Sequence, residues 1–461
     1  MYGKFIKRIL IFTFTLMIGN FAFAIDDVIA PAQDEKEMQP LVSEISFDEV
    51  LDKAIEHSYD VKIADFKILI SKQEVRGAKS EYFPKLNVGL GAEYTKNFRD
   101  KEYTVMSIGD SFINPYTRFQ TVMGISLYYN VYDFGIREGN VKHAKEDVEL
   151  QSLKELEQQQ ELELSIVDNY SKLLITSKQI AQNKAILKLE QQNLDFKNRL
   201  YNAGEATKLE VNDAKVKVAN LQNRIAELQG IYNESLLWLS FYTGEEYDSK
   251  NLKVADIKKP DFDVLAFNDY TQSLVWKIQD KEIKKKELEL KVAKRANYPK
   301  LGAYTKYNIY GADEDSVPRT MKDIGPSNWS IGLSLNIPVF DGFKASANAK
   351  KVALELEQLL VERDKAVAQL MTRLSVMRSN LMYLEEQIYQ NENTINELKS
   401  KEKSIKRLVK KRAATPIDEN EVMVQLLEQQ IELDKNKTTA VAIIKGIEFL
   451  TKEIDEKAIK K

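Results

Sequence analysis

The chain has 461 residues but only 18 glycines and 10 prolines, too little punctuation for the two to four compact domains that such a length ordinarily holds. A hydrophobic content of 43% with 30% charged residues excludes a disordered chain, and no stretch beyond the first thirty residues is apolar enough to cross a bilayer as a helix, which excludes a polytopic helical membrane protein. Cysteine is absent and His57 and His143 are the only imidazoles, so disulfides, thiolate metal sites and cysteine nucleophiles are excluded; no metal, cofactor or catalytic group is expected.

Lys4, Lys7 and Arg8 precede the apolar run Ile9–Ile18, and Ala22-Phe23-Ala24 places small residues where a signal peptidase reads them. Residues 1–24 therefore read as a secretory signal rather than a membrane anchor, since the run is too short to span. Its removal leaves 64 Lys and Arg against 70 Asp and Glu, a balance that offers no case for nucleic-acid binding. Residues 25–45, with Pro31 and Pro40, read as an extended leader.

Beyond the leader the chain repeats itself. Phe83-Pro84-Lys85-Leu86 recurs as Tyr298-Pro299-Lys300-Leu301, Gly124-Ile125-Ser126-Leu127 as Gly332-Leu333-Ser334-Leu335, and Thr207-Lys208-Leu209-Glu210 as Thr415-Pro416-Ile417-Asp418. Asp133 falls on Asp341 at the same offset of 208 residues as the last two matches. The spacing predicts a first repeat over 46–240, a linker over 241–267 and a second repeat over 268–461.

Within each repeat, two stretches alternate strictly. Leu86, Val88, Leu90, Ala92 and Tyr94 share one face, as do Phe119 through Val131 at every second position; Leu301 through Ile309 and Trp329 through Val339 repeat the pattern. Strand pairs are expected at 84–97 with 119–132, and at 299–311 with 328–340, apolar on one side and small or polar on the other. This suits either a barrel strand between lipid and water or a soluble sheet with one wet face. Tyr94, Tyr128, Tyr132, Tyr310 and Phe340 at the strand ends are candidates for aromatic girdles, or for loose packing where barrel gives way to helix.

Long helical tracts follow each strand pair, over 133–240 and 341–455, each entered through an aspartate, Asp133 or Asp341, placed to cap it. Ile166, Leu173, Ile180, Leu187, Leu194 and Tyr201 recur at intervals of seven; Val211, Val218, Ile225, Tyr232 and Leu239 do the same after a break at Asn202-Ala203-Gly204. That is coiled-coil spacing on both arms of a helical hairpin, with Gly204 supplying the left-handed residue of the reversal. A helix from about 133 to 201 is ~100 Å long, while those over about 47–81 and 206–240 are each about half of that, so two short helices stacked end to end match one long one. Four strands cannot close a membrane barrel, and open edges in lipid leave backbone groups unsatisfied, so a membrane reading obliges two or three copies to associate.

The signal segment, duplicated strand pairs, Phe-Pro-Lys-Leu entry, Asp-capped helices and the Tyr201-Asn202-Ala203-Gly204-Glu205-Ala206-Thr207 reversal occur in an order that resembles the outer membrane efflux protein family, the TolC-like channels. The resemblance covers nearly all of the chain after the signal. It implies a mainly α fold with β: a homotrimer whose twelve-stranded outer-membrane barrel continues into a twelve-helix α-barrel across the periplasm. It also implies a passive duct, without catalysis, that docks to a periplasmic adaptor (membrane fusion protein) and an inner-membrane transporter. The family's acidic constriction at the periplasmic tip maps onto Glu210 and Asp213 in the first half and onto Asp418 and Glu421 in the second, with Asp418 and Glu421 favoured as pore-lining. The alternative role for each is a carboxylate that complements its helix dipole. One departure stands out, because Arg412, after Lys410 and Lys411, occupies the position of Gly204 ahead of Thr415, the counterpart of Thr207; the second reversal uses another backbone solution aided by Pro416, or its basic side chains bind something, against the alternative of a solvated basic turn. A soluble periplasmic coiled-coil adaptor is the competing reading, to which the lipid-compatible strands are foreign.

Overall fold

The computed structural model describes residues 44–94, 119–249, 252–260, 269–313, 315–322 and 324–452. The signal segment, all of the leader but its last two residues, and strand positions 95–97 lie outside them. In chain order the elements are β1 (Glu44–Ile45), α1 (Phe47–His57), α2 (Tyr59–Ser80), β2 (Lys85–Tyr94), β3 (Phe119–Tyr132), α3 (Ile136–Asn202), α4 (Lys208–Thr243), β4 (Lys253–Val254), α5 (Leu274–Lys294), β5 (Lys300–Asp313), α6 (Val317–Thr320), β6 (Ile324–Asn336), α7 (Lys344–Lys410) and α8 (Pro416–Thr451). The protein is mainly helical, with a small sheet at one end.

Several boundaries differ from the sequence reading, three of them for a visible physical reason. The helix anticipated over 47–81 is two helices, because the Ser58 side chain accepts from Val61 N at 3.3 Å and starts a new helix while the Ser58 N–H still closes the old one on Ala54 O. The arm ending near 240 runs on to Thr243, where Gly244 at φ +72° stops it. The fourth strand spans Ile324–Asn336 rather than 328–340, ending before Pro338, which has no N–H to give a ladder.

The four main strands form one antiparallel sheet in the order β2-β3-β5-β6. Its register sets Leu86 opposite Leu127, Leu127 opposite Thr305 and Thr305 opposite Ile331; the next rung is Val88, Ile125, Tyr307, Trp329. Every alternating apolar series thus falls on one face. The other face carries Asn87, Ser126, Lys306 and Ser330 on one rung and Gly89, Gly124, Asn308 and Asn328 on another. Because directly opposed residues share a face, Tyr94 and, past a register shift between Asn130 and Tyr132, Tyr132 are on the apolar side. Tyr128 and Tyr310 are on the polar side, which corrects their assignment to a girdle: Tyr128 lies across Gly302, where an added Cβ would meet its ring at 2.8 Å. The outer edges of β2 and β6 have no strand beside them among the described residues.

The helices make a single layer. At 67 residues each, α3 and α7 run ~100 Å. Along α3, α2 and then α4 flank one side while α5 and then α8 flank the other; α7 packs on α5 and α8 and closes the layer. The short helices thus stack in pairs along each long one. The heptad residues do the packing, with Ile166, Leu173, Val211, Ala214, Ile225, Leu228, Tyr232 and Leu239 all buried. The largest core sits at the middle of the rod, where Phe47, Val50, Ile166, Tyr170, Leu239, Tyr247 and Ile257 meet. There β1 pairs in parallel with β4, and the Tyr170 hydroxyl, pushed up in pKa by burial, lies 2.8 Å from Ala255 O and 3.2 Å from Ile45 O. The end of the leader is thereby tied to the segment that joins the two halves.

Candidate functional site

Two places in this rod concentrate polar chemistry: the strand-to-helix junction and the helical reversals at the far end. At the junction Asp133 caps α3, its carboxylate accepting from Gly135 N at 3.2 Å and Arg137 N at 3.1 Å. The Arg137 guanidinium is buried against that carboxylate, with Nε at 2.9 Å from Oδ2. It also donates to Glu81 O at 3.3 Å and Val131 O at 3.2 Å and stacks over the Tyr82 ring at 4.7 Å. One side chain therefore clamps the end of α2, the end of β3 and the start of α3. The sequence reading missed it, although an Asp and an Arg four apart at a helix start were a legible signal. The second half has Ala345 there, and Asp341 accepts only the Ala345 N–H, at 2.8 Å.

Both reversals use the same turn. In the first, Glu205 N donates to Leu200 O at 2.9 Å and Gly204 N to Tyr201 O at 3.0 Å, with Gly204 at φ +83°. In the second, Ala413 N donates to Leu408 O at 2.9 Å and Arg412 N to Val409 O at 2.9 Å, with Arg412 at φ +60°. These are Schellman closures. The departure at Arg412 is thus a substitution within a common backbone solution, with an arginine held in the left-handed region that glycine adopts at no steric cost.

Each second arm then starts with a reciprocal cap. Glu210 accepts from Thr207 N at 2.7 Å and Thr207 Oγ1 at 2.9 Å, while Thr207 Oγ1 accepts from Glu210 N at 3.3 Å. Asp418 repeats this on Thr415 at 2.7, 2.8 and 3.3 Å. The N–H and hydroxyl donors of Thr207 hold the Glu210 carboxyl below its usual range, and those of Thr415 do the same for Asp418. Both acids are charged at neutral pH, so capping and a pore-lining charge are compatible in one residue. Asp213 and Glu421 stand one turn further along, exposed beside the buried Ala214 and Val422. A single chain brings the acids of one reversal onto one helix flank; a ring requires further copies.

The carboxylates at the reversals are not arranged as a metal cluster; among the described residues no group of three or more His, Cys, Asp or Glu is placed to hold an ion. No described helix is long and apolar enough to cross a membrane.

The chain thus joins an edge-open sheet to a layer of paired long helices. Residues 50–245, less than half of the chain, match the model of the outer membrane efflux protein family. The pyoverdine export outer membrane protein OpmQ of Pseudomonas aeruginosa is 23% identical over 336 residues, covering 69% of this chain and 66% of that protein, just under two thirds of its length. Among solved structures, the Vibrio cholerae outer membrane protein VceC superposes with a TM-score of 0.68 at 14% identity, covering 88% of this chain and 96% of that one. The Campylobacter jejuni CmeC outer membrane channel gives 0.72 at 15% identity, over 90% and 88%.

Proposed function

We propose that the chain is the outer-membrane channel of a tripartite efflux or secretion assembly, a passive duct through outer membrane and periplasm. The observation that carries this is a pair of matched open borders. On one border the unpaired edge of β2 continues into α2 and α4, whose outer surface exposes Tyr59, Phe66, Trp238 and Phe241. On the other the unpaired edge of β6 continues into α7, which exposes Val361, Met382, Tyr383 and Tyr389. Two different borders on one subunit allow head-to-tail association, which makes a closed ring where the rotation between copies closes. Three copies supply twelve strands, enough for a barrel in which the apolar face meets lipid and the Asn, Ser and Gly face lines the lumen. Trp329, Ile331 and Leu333, between 69% and 74% exposed in one chain, suit the lipid side.

The relatives bear on the same reading, since OpmQ is named an export outer membrane protein and CmeC an outer membrane channel. A soluble adaptor, the alternative, is not favoured by the family match or by the sheet. The duct works with a periplasmic adaptor and an inner-membrane pump, carries out no catalysis, and uses Asp418 and Glu421, with Glu210 and Asp213, to ring the entrance. Three copies of such carboxylates in a narrow lumen favour cations. The test is ion conductance in planar bilayers with Asp418→Ala/Glu421→Ala: a larger or less cation-selective conductance supports the ring, and an unchanged one removes both acids from the entrance.

A further inference from the structure

The two reversals share a backbone but not a charge. Between Lys399 and Arg412, eight of fourteen residues are basic and only Glu402 is acidic, whereas the matched positions 191–204 hold two basic residues, Lys197 and Arg199, and one acid, Asp195. Lys406 is taken up by Glu402 at 2.5 Å and Lys401 lies 3.2 Å from Gln425 Oε1. Lys403, Arg407, Lys410, Lys411 and Arg412 are exposed and have no carboxylate partner among the described residues. This concentration of like charge on one helix end is repulsive in the isolated chain. Arg412 adds backbone strain to it, since its φ of +60° is one that glycine takes freely in the first reversal. Strain kept at an exposed tip points to a use for the side chain there. Leu408, 41% exposed, sits among these cations and offers an apolar contact at their centre.

We propose that the second reversal, from Lys403 to Arg412, is a cationic docking tip that takes an acidic protein surface, with Leu408 as its apolar anchor, and that the first reversal does not share this role. The proposal rests on the duct reading, in which the tips face a periplasmic partner. A protein is the better fit than a headgroup because an exposed leucine framed by charges on a rigid helix end is the arrangement of an interface centre and rim. Charge complementarity of this kind governs encounter rate and salt dependence.

The test uses the full-length protein in detergent and two probes: a synthetic helical hairpin with a Glu-rich turn, and the same hairpin with Gln in place of each Glu. Lys410→Gln/Lys411→Gln/Arg412→Gly removes the charge while relieving the turn, so loss of fold does not confound it. The expected result is that the acidic hairpin binds about tenfold more tightly than its Gln counterpart at about 50 mM salt, and that the preference is lost at about 300 mM salt. It is also lost in the triple variant and kept in Lys197→Gln/Arg199→Gln. Equal binding of both hairpins, or a triple variant that keeps the preference, overturns the proposal; so does wild-type protein that ignores the acidic hairpin yet floats with phosphatidylglycerol vesicles in a manner the triple variant loses. Bilayer conductance of the same samples separates the two levels: a conducting protein indifferent to the hairpin removes the docking tip and leaves the duct, whereas an electrically silent one removes the duct.

Discussion

Helices α3 and α7 are both 67 residues long and occupy equivalent places in a duplicated sequence, yet they are in different situations. Neighbours flank α3 on both sides, and Leu153, Ile166, Tyr170 and Leu173 along it are at most 1% exposed. Among the described residues α5 and α8 are the helices packed against α7, which buries Leu374 but leaves Met382 72% and Val361 70% exposed. The amphipathic pattern is similar; the position in the layer differs. A helix that has apolar residues on a side with no neighbour among the described residues presents an apolar surface for contact.

The largest expected effects break that contrast directly. Leu173→Ala empties a fully buried site and lowers the unfolding free energy by about 2–5 kcal/mol, read by chemical denaturation in detergent. Met382→Glu/Tyr389→Glu, on the open side of α7, leaves helix content intact by circular dichroism but depletes the trimer in native mass spectrometry; a trimer that persists moves the seam elsewhere.

Arg137→Ala leaves the buried Asp133 carboxylate without its cation and costs about 3–5 kcal/mol, whereas Asp341→Ala, losing one hydrogen bond to a first-turn N–H at the matching corner, costs about 1 kcal/mol. If the two substitutions lower the melting point equally, the clamp at Arg137 is not what secures the first half. At the reversals, Gly204→Ala puts a Cβ into the left-handed region and costs about 1–2 kcal/mol, and Arg412→Gly recovers a similar amount less the entropy glycine gains on unfolding.

The smallest effect is on pH. The Thr donors lower the folded-state pKa of Glu210 and Asp418, so their contribution is complete above the ordinary carboxylate range and is lost as pH falls through the lowered values. Glu210→Gln/Asp418→Asn should therefore melt below wild type at about pH 7 and converge with it towards about pH 2. A gap that is constant with pH assigns the difference to something other than the caps.

Much of the fold is legible in the sequence because the pattern that specifies it is periodic. The spacing of seven from Ile166 to Leu187 and from Val211 to Leu239 is enough to specify the hairpin, and strict alternation is enough to specify the strand faces. What escapes is set partly by local caps and partly by contacts distant in sequence. Ser58 splits a helix by capping at a point where the apolar pattern runs on unbroken, and Tyr128 turns to the polar face because its rung partner is fixed by the register with β5, not by its place near a strand end. The Arg137 clamp joins residues from 81 to 137, and Tyr170 joins 45 to 255; neither is a motif in one segment. At the reversals the residue types are legible but not the turn, since an arginine in the left-handed region is chosen by its surroundings rather than by its own preference.

The account turns on whether several copies close a tube. Single-channel recording of the purified full-length protein in planar bilayers, with its mass measured in the same detergent, tests that most directly. The account expects a trimer that carries ionic current in discrete steps. A monodisperse monomer that leaves the bilayer silent would contradict it.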